Sequence, residues 1–498
     1  MSVFLAVLTW LLVALVLIGV LPVLGAVYEY LLVMLHFRRN HYGRCRPHFP
    51  RTVILIAAWN EEAVIGRCVD RLMQLDYPPN ALRVMVVDDA STDATPRVLA
   101  AKAAEYPGRV FHLRRATGGE GKAVALNHGL RRVLSDDWME ALLIADADPI
   151  FEQSALRMMT RHLADPEVGA VTAYIKEGDS SPNFLVRFIA FEYITGQAAA
   201  RRSQNVLGAI QCLAGGAQLH SRASILAIGG RIDESTLAED TSTTLSIQLT
   251  GRKVVFEPYA VVWAEEPRDV VGLWKQRLRW ARGNVQITRR YRHVWFRSQP
   301  DCKLGGVTFG LLWFSLLLQP LFMVCGAASL LGLFAINSAV AWRAFGALWL
   351  ANALSYLFVT TYTLLIDPST GRRTWVEGFM FTGAVNLVVI LAALLPLPMY
   401  RLATESLSAA SLRLTHGWVV GSLLFIYAWQ AAAMGVAYLA KLGENRPLGR
   451  VVSRILIYVA GYGSLMCAVT LASYVKELTG AEATWDKTEK TGRPVTAG

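Results

Sequence analysis

Residues 141–148 read ALLIADAD, an apolar run of five residues followed by two aspartates with one alanine between them. A short apolar run of this kind is typical of a strand that is buried on both faces of a sheet. The pattern also occurs twice upstream, where the run from Thr52 leads to WNEE at 59–62 and the run from Val84 leads to Asp88-Asp89. Three apolar runs therefore end in acidic residues.

Helical stretches separate these runs, and an alternation of strand and helix favours an α/β fold with a mainly parallel sheet. The predicted strands are Thr52–Ala57, Val84–Val87, Val110–Leu113, Ala141–Ala145 and Val168–Ile175, with a later pair at Val254–Phe256 and Ala260–Trp263. Ligands of such sheets bind beyond the carboxyl ends of the strands. We therefore expect the three acidic clusters to lie at one edge of the sheet.

The composition indicates that this α/β segment is only part of the protein. Of the 498 residues, 54% are hydrophobic and only 17% are charged, whereas about a quarter of an ordinary soluble protein is charged. Between Ser2 and Phe37 the ionisable residues are Glu29 and His36, with two tyrosines. The run lacks the basic leader of a signal peptide. We expect a retained membrane helix over residues 3–25, bent near Pro22, with an interfacial continuation to Phe37; two short spans are the alternative.

Apolar stretches that are long enough to cross a membrane return after residue 304. They lie at residues 306–336, 343–366, 378–397, 417–440 and 456–475. Together with the N-terminal helix they predict about six spans.

The basic residues predict the orientation of these spans. Four arginines between residues 38 and 46 mark the inner face, so the α/β segment is expected in the cytoplasm. Arg372-Arg373 and the loop at 441–454 are then also inside, as the positive-inside rule expects, whereas Arg401 and Arg413 fall outside. The protein is thus predicted to be a multi-pass protein of the cell (inner or plasma) membrane.

These observations divide the chain into five predicted parts. They are an N-terminal transmembrane helix with its continuation (1–37), a cytoplasmic domain (50–285), an interfacial connection (286–305), a transmembrane bundle of about five helices (306–475) and a polar tail (476–498). The net charge of +11 fits inward-facing loops and anion-binding side chains, and it is not concentrated in an arm that would bind nucleic acid. Six scattered cysteines without a CxxC pair suggest neither a disulfide framework nor a zinc site.

Each acidic cluster also has a purely structural interpretation. The DDASTD sequence at 88–93 can form a turn and a helix cap. Asp146 and Asp148 can supply oxygen ligands for a divalent cation shared with phosphates, although a single DxD is weak evidence. Three acidic strand ends at one edge make independent turns less credible.

The segment TGGEGK at 117–122 opens a predicted helix. Glycines before a helix, with a lysine, can bind a diphosphate, or they can form a plain glycine-rich turn. A Walker A loop is excluded, because Ala116 occupies the first glycine position and Ala123 follows Lys122. No GxGxxG follows the first strand, so kinase and dehydrogenase functions are excluded as well.

Two later segments carry further candidates. LAEDT at 237–241 places Glu239 and Asp240 at the start of a predicted helix. Their negative charges can stabilise the helix dipole, or one of them can be the base that accepts a proton from an attacking hydroxyl. QRLRW at 276–280 is either an exposed basic helix or a segment in which Arg279 compensates a diphosphate and Trp280 faces a sugar.

The ordered set AWNEE, VVDDAST, GGEGKAVALNHG, DAD, AED and QRLRW resembles the family 2 glycosyltransferases. It is most similar to the membrane-integrated processive β-glycan synthases, which make cellulose, hyaluronan, chitin or poly-N-acetylglucosamine. The resemblance covers residues 50–285, and the flanking spans match only in layout. It implies a GT-A-like nucleotide-sugar transferase domain that moves a hexose or N-acetylhexosamine, with inversion and processively, from a UDP-sugar to a growing β-linked glycan.

The resemblance also assigns a role to individual residues. It implies nucleotide-sugar binding by Trp59, Glu61, Asp88, Asp89, Lys122, Asp146, Gln276 and Arg279. It implies a Mg²⁺ or Mn²⁺ site at Asp148 and Asp146, an acceptor site at Trp280, Gly215 and Gly216, and a catalytic pair of Asp240, the general base, and Glu239. The partners would be the donor, the glycan, membrane lipid and accessory export subunits that the sequence does not identify, with no nucleic acid.

Two positions depart from the family pattern, and two other functions stay open. Ala238 replaces the threonine of the usual TED motif, and CLAGGAQ at 212–218 differs from the cellulose-type sequence. One alternative is a non-processive membrane enzyme that adds a single sugar to a lipid. The other is a transporter or receptor whose α/β domain binds a nucleotide without turnover.

Overall fold

The computed structural model describes residues 2–394 and 417–482. The chain forms two compact units. The sheet unit comprises Glu29–Arg268, Arg282–Gly310 and Gly480–Gly498, and the apolar-helix unit comprises Met1–Tyr28, Asp269–Ala281 and Leu311–Thr479. Parts of the predicted span at 378–397, the arginines at 401 and 413, and most of the predicted tail lie outside the described residues.

The sheet unit is built on one sheet of eight strands. The strands are β1 (Thr52–Ala58), β2 (Leu82–Asp88), β3 (Val110–Arg114), β4 (Ala141–Ala145), β5 (Ile150–Phe151), β6 (Val168–Glu177), β7 (Ala217–Ser221) and β8 (Lys253–Ala264). Their order in the sheet is β3-β2-β1-β4-β7-β6-β8-β5. The neighbours β3, β2, β1 and β4 are parallel, so the acidic strand ends share one edge as the sequence predicted.

The prediction of a mainly parallel sheet is correct for the four strands β3, β2, β1 and β4 and for the pair of β6 with β8. The sheet as a whole is mixed. Strand β7 runs antiparallel to both β4 and β6, and β5 runs antiparallel to β8. The sequence pattern missed β7 because AQLHS has no apolar run. The predicted strand pair after residue 253 is a single strand, since an irregularity in its pairing with β6 accommodates the Glu257-Pro258 step.

Helices lie between most of the strands along the chain. In the sheet unit they are α3 (Ile65–Met73), α4 (Thr95–Glu105), α5 (Lys122–Val133), α6 (Ala155–Thr160), α7 (Phe184–Tyr193), α8 (Ala200–Leu207), α9 (Arg222–Ala227) and α10 (Glu239–Leu249). The long helix α11 (Val270–Arg290) contributes to both units.

The apolar-helix unit begins with α1 (Ser2–Ile18), while α2 (Leu21–Arg38) runs from it into the sheet unit. They are separated at Gly19 and Val20, and Pro22 is the second residue of α2, where a missing N–H removes no helical hydrogen bond. The remaining helices are α12 (Val307–Leu317), α13 (Gln319–Ile336), α14 (Ser338–Ile366), α15 (Pro368–Phe379), α16 (Ala384–Leu394), α17 (Gly417–Gly443), α18 (Gly449–Ala460) and α19 (Tyr462–Leu478).

The predicted count of six membrane spans is not confirmed. By length and composition the described residues contain three helices that could cross a membrane, namely Val3–Arg38, Gln319–Ile336 and Ala339–Ile366. The number rises to five if each of two bent pairs is one span. The pairs are α15 with α16, bent by 86°, and α18 with α19, bent by 97°.

The two bends pack against each other. Gly383 and Gly461 both have positive φ, and a Cβ added to Gly383 would lie 2.5 Å from the backbone nitrogen of Gly461. Gly463 N donates a hydrogen bond of 3.0 Å to the carbonyl of Phe381 across the same junction. Apolar composition predicts a continuous span here, and the glycines break it because they permit this close backbone approach.

The contact of α5 with the sheet yields a stability prediction. A Cβ added to Gly129 would lie 2.6 Å from both Leu55 Cδ1 and Val87 Cγ2. Alanine ordinarily stabilises a helix relative to glycine by about 1 kcal/mol, whereas overpacking a core costs about 1–3 kcal/mol. We expect Gly129→Ala to lower the thermal unfolding midpoint of the full-length protein in detergent. Arg131→Ala, on the exposed face of α5, is the control and should leave the midpoint unchanged; an unchanged midpoint for Gly129→Ala would contradict the close packing.

Candidate active site

The loops after β1 and β2 are bonded to each other at the carboxyl edge of the sheet. Asn60 N donates to Ser91 Oγ at 3.0 Å, and Glu61 N donates to Thr95 Oγ1 at 2.8 Å. Trp59 stands at the end of β1 with 40% of its surface exposed. These loops therefore place Trp59 and Glu61 at the edge where the sequence predicted a nucleoside pocket.

Asp88 and Asp89 have different surroundings. Asp88 is fully buried, where its Oδ1 accepts the N–H of Ser91 at 2.9 Å and its Oδ2 lies 3.3 Å from Arg114 Nη1. These contacts are those of a residue that stabilises a turn. Asp89 pairs with Arg115, and its Oδ2 accepts the N–H of Gly119 at 3.0 Å. Asp89 therefore anchors the glycine-rich loop, while a nucleoside contact by either residue stays a prediction.

The glycine-rich loop is held close to the end of β2. A Cβ added to Gly118 would lie 2.0 Å from the carbonyl oxygen of Asp89, so only glycine fits there. Gly119 and Gly121 have φ of 87° and 104°, a region that other residues rarely adopt. Arg115 pairs with Glu120 as well as with Asp89 and so closes the loop. Arg115 could not be recognised from the sequence, since an arginine before a glycine-rich turn has no distinctive spacing.

Lys122, the first residue of α5, is the cation around which the site is organised. Its Nζ lies 2.5 Å from Asp146 Oδ1, 3.1 Å from the carbonyl oxygen of Gly215 and 3.6 Å from Glu239 Oε1. Burial alone would lower the pKa of Lys122, but Asp146, Glu239 and Asp240 outweigh it and raise the pKa above its usual value. The lysine is therefore charged at neutral pH.

Asp146 and Asp148 follow directly after β4. A Cβ added to Gly216 would lie 3.1 Å from Asp146 Oδ2. Burial raises the pKa of the Cys68 thiol, and Asp148, Asp146 and Glu61 raise it further, so the three carboxylates are close enough to act on one thiol. Neighbouring carboxylate oxygens are the ligands that Mg²⁺ and Mn²⁺ prefer. The residues present therefore fit the predicted cation.

Asp240, the predicted general base, faces the loop before β7. Its Oδ1 accepts the N–H of Thr241 at 2.7 Å. A Cβ added to Gly215 would lie 3.2 Å from Asp240 Oδ2 and 3.6 Å from Lys122 Nζ. Glycine at 215 thus leaves space beside the carboxylate, which is where a reacting hydroxyl needs room.

Helix α10 holds this loop in place. Thr244 Oγ1 donates to the carbonyl of Asp240 at 2.6 Å and accepts the N–H of Leu213 at 2.9 Å. Gln248 bonds both the N–H and the carbonyl of Ile210. The helix that carries Asp240 therefore also fixes the CLAGGAQ loop.

Ala238, where the family pattern has threonine, lies against α11. A Cβ added to Gly283 would lie 2.7 Å from Ala238 Cβ, and Ala238 is 7% exposed. Small residues at both positions permit this close approach.

The QRLRW segment belongs to the apolar-helix unit and lies within α11. Gln276 is buried, and its Oε1 accepts a hydrogen bond of 2.5 Å from Arg277. The Arg277 guanidinium lies 4.1 Å from the centre of the Trp280 ring. Arg279 and Trp280 are half-buried. The expected roles of Gln276, Arg279 and Trp280 at the diphosphate and acceptor stay predictions.

Comparison with known proteins supports the grouping of motifs in the sheet unit. Residues 50–283 match the family described as glycosyltransferase like family 2. They form a family 2 glycosyltransferase domain. Among solved structures, the mannosyltransferase PcManGT from Pyrobaculum calidifontis, in complex with GDP-Man and Mn²⁺, superposes with a TM-score of 0.53. The superposition covers 77% of this chain and 97% of that one at 22% identity, which establishes a shared GT-A-type fold.

Two curated relatives of the glycosyltransferase domain have different names. Beta-monoglucosyldiacylglycerol synthase from Synechocystis sp. is 33% identical over 247 residues, which is 50% of each chain. Poly-beta-1,6-N-acetyl-D-glucosamine synthase from Staphylococcus aureus (strain COL) is 30% identical over 237 residues, or 47% of this chain and 55% of that one. The chain thus aligns with about half the length of these relatives.

The Lys122 contacts yield a prediction about stability. Lys122→Met should destabilise the folded protein by about 1–3 kcal/mol, because it removes the positive charge of Lys122 beside Asp146 and Glu239 at a partly buried place. The Asp146 side chain is 42% exposed, so water screens part of the loss. Urea unfolding of the full-length protein in detergent, followed by tryptophan fluorescence, measures the effect.

Lys102→Met is the matched control for this substitution. Lys102 also contacts two carboxylates, Asp70 at 2.7 Å and Glu105 at 2.8 Å, but it does so near the surface. Lys102→Met should lower the free energy of unfolding by less than about 1 kcal/mol. Equal decreases in the free energy of unfolding for the two variants would contradict a larger contribution of Lys122 to stability.

Proposed function

We propose that the protein is an inverting, processive hexosyltransferase of the cell membrane. It transfers a hexose or N-acetylhexosamine from a UDP-sugar to a growing β-linked polysaccharide, which leaves through the membrane helices. The observation that carries the proposal is the contact of Lys122 with Asp146, Gly215 and Glu239 inside a family 2 glycosyltransferase domain. The domain faces the cytoplasm, and about six spans surround the export path.

The donor binds along the carboxyl edge of the sheet. Trp59, Glu61 and Asp89 line the nucleoside pocket, and Lys122 offsets the charge of the diphosphate. Asp146 and Asp148 hold Mg²⁺ or Mn²⁺, which when bound withdraws charge from the leaving group. The resemblance to the family also assigns diphosphate binding to Arg279 and Gln276.

The transfer itself depends on Asp240. Its carboxylate accepts the proton of the acceptor hydroxyl, whose oxygen bonds to the anomeric carbon from the face opposite the nucleotide. The bond from that carbon to the phosphate oxygen breaks, and its electron pair leaves with the nucleoside diphosphate. An α-linked donor therefore gives a β-linkage. Thr241 holds Oδ1 of the base, and Oδ2 faces the space at Gly215.

A second candidate is transfer of a single sugar to a lipid. It is supported by the 33% identity to beta-monoglucosyldiacylglycerol synthase. The QRLRW segment and the large set of C-terminal apolar helices favour the processive function, in which Trp280 stacks on the terminal sugar of the acceptor.

Turnover with a panel of donors tests the proposal. We expect the full-length protein in detergent, with Mg²⁺ or Mn²⁺, to release UDP from UDP-glucose or UDP-N-acetylglucosamine and to form long chains. Excess EDTA should stop the release, and either cation should restore it. A short product attached to lipid would establish the second candidate instead, and no release from any UDP-sugar would refute both.

Asp240→Asn tests the assignment of the base. It should lower the rate of transfer by about 10²–10⁴-fold, because the amide cannot accept the proton. The affinity for UDP, which calorimetry measures and which reports on the nucleotide part of the donor site, should stay within twofold of the wild type. Asp137→Asn, whose side chain is 99% exposed, is the control and should change neither value. Transfer by Asp240→Asn within a few-fold of the wild type would remove Asp240 from this role.

A further inference from the structure

A second cluster of ligand-type side chains lies in the sheet unit, outside the residues assigned to transfer. It comprises His41, His162 and Glu257, whose candidate ligand atoms all lie within 4.8 Å of one another. His41 is in the turn that follows α2, His162 is in a short 3₁₀ turn after α6, and Glu257 is in β8. We call these three residues the His41 cluster.

Glu257 is at the centre of the cluster. Its Oε2 lies 2.6 Å from His162 Nε2 and 3.8 Å from His41 Nε2. The side chains are 0% (Glu257), 3% (His162) and 10% (His41) exposed. Three ionisable groups from distant segments therefore meet where water has little access.

Residues around the cluster orient its members. Tyr42 OH donates to Glu257 Oε1 at 2.7 Å, so this oxygen is held apart from Oε2. Cys45 Sγ lies 3.0 Å from His162 Nδ1, which directs the other ring nitrogen of His162 at Glu257. Metal-binding histidines and carboxylates are characteristically held in this way through their second polar atom.

An ion pair of His162 with Glu257 explains only part of the arrangement. Burial alone would lower the pKa of His162, but Cys45 and Glu257 outweigh it and raise the pKa to about 9. The buried Nε2 of His41 has no hydrogen-bond partner among the described residues. This nitrogen lies 3.8 Å from Glu257 Oε2, which is too far for a hydrogen bond, and the His41 side chain is only 10% exposed. A cation between the imidazole and the carboxylate would give this nitrogen a partner.

The distances fit a zinc ion after small movements. Zinc lies about 2.0–2.2 Å from nitrogen and oxygen ligands, so two ligands of a tetrahedral site are roughly 3.4 Å apart. The two nitrogens lie 2.6 and 3.8 Å from Glu257 Oε2, on either side of this value, and all candidate ligand atoms lie within 4.8 Å of one another. Two imidazoles and one carboxylate select zinc over Mg²⁺ or Ca²⁺, which prefer oxygen ligands alone.

We propose that His41, His162 and Glu257 bind one zinc ion. The ion joins three segments, namely the turn after α2, the 3₁₀ turn after α6 and strand β8, and water completes its coordination. The site is structural and independent of the Mg²⁺ or Mn²⁺ at Asp146 and Asp148. The absence of a CxxC pair argued against zinc in the sequence, but these ligands come from three separate segments.

Metal analysis of the full-length, tag-free protein tests the site. After purification in detergent without chelator and addition of zinc, gel-filtered protein should contain about one zinc per chain. His41→Ala should retain less than about a tenth of that amount, since even indirect supports of a metal site change affinity 10–100-fold. His293→Ala, an exposed histidine of the same unit, is the matched control and should retain all of it.

Misfolding of His41→Ala could also abolish zinc binding, so two further measurements use the wild-type protein. Co²⁺ added to the metal-free protein should produce the visible absorption of a tetrahedral site, and zinc should displace it. Removal of zinc by EDTA should lower the thermal unfolding midpoint of the wild type but not that of His41→Ala. Zinc-free wild-type protein with no Co²⁺ absorption would overturn the proposal, whether or not the protein transfers sugar.

Discussion

The contact between Lys122 and Asp146 is the interaction on which the candidate active site depends. Lys122 begins α5, Asp146 ends β4, and the same Nζ reaches Gly215 before β7 and Glu239 at the start of α10. Four elements are therefore joined through one cation whose side chain is 11% exposed. Without its charge, the carboxylates of Asp146 and Glu239 would repel each other, and water would screen this repulsion only in part, since Asp146 is 42% exposed but Glu239 only 7%. Lys122 is also the residue that we propose offsets the charge of the diphosphate.

The mixed sheet explains how residues distant in sequence reach that cation. Because β7 is antiparallel to β4, Ala217 pairs with Ala145, and the chain just before β7 lies beside the chain just after β4. Gly215 and Gly216 are thereby placed against Asp240 and Asp146. The parallel half of the sheet supplies the predicted donor side, and the antiparallel strand supplies the predicted acceptor side.

Some charged residues stabilise this fold and others are predicted to take part in the chemistry. The residues around each of them determine its role. Asp88 and Asp89 are adjacent in sequence, yet one stabilises a turn with Ser91 and the other anchors the loop at Gly119. The resemblance to the family placed both in the nucleoside pocket. Motif position alone does not separate these roles, because it does not show which backbone N–H each carboxylate accepts.

The sequence alone determined the α/β class, the edge at which the acidic strand ends meet, the helices beginning at Lys122 and Glu239, and the apolar ends of the chain. These features follow from hydrophobic periodicity and from local motifs. Only the tertiary structure decided the direction of β7, the pairing of Arg115, the bends at Gly383 and Gly461, and the meeting of His41 with His162 and Glu257. The physical reason is that each of these depends on a contact between segments far apart in the chain, which no local pattern records.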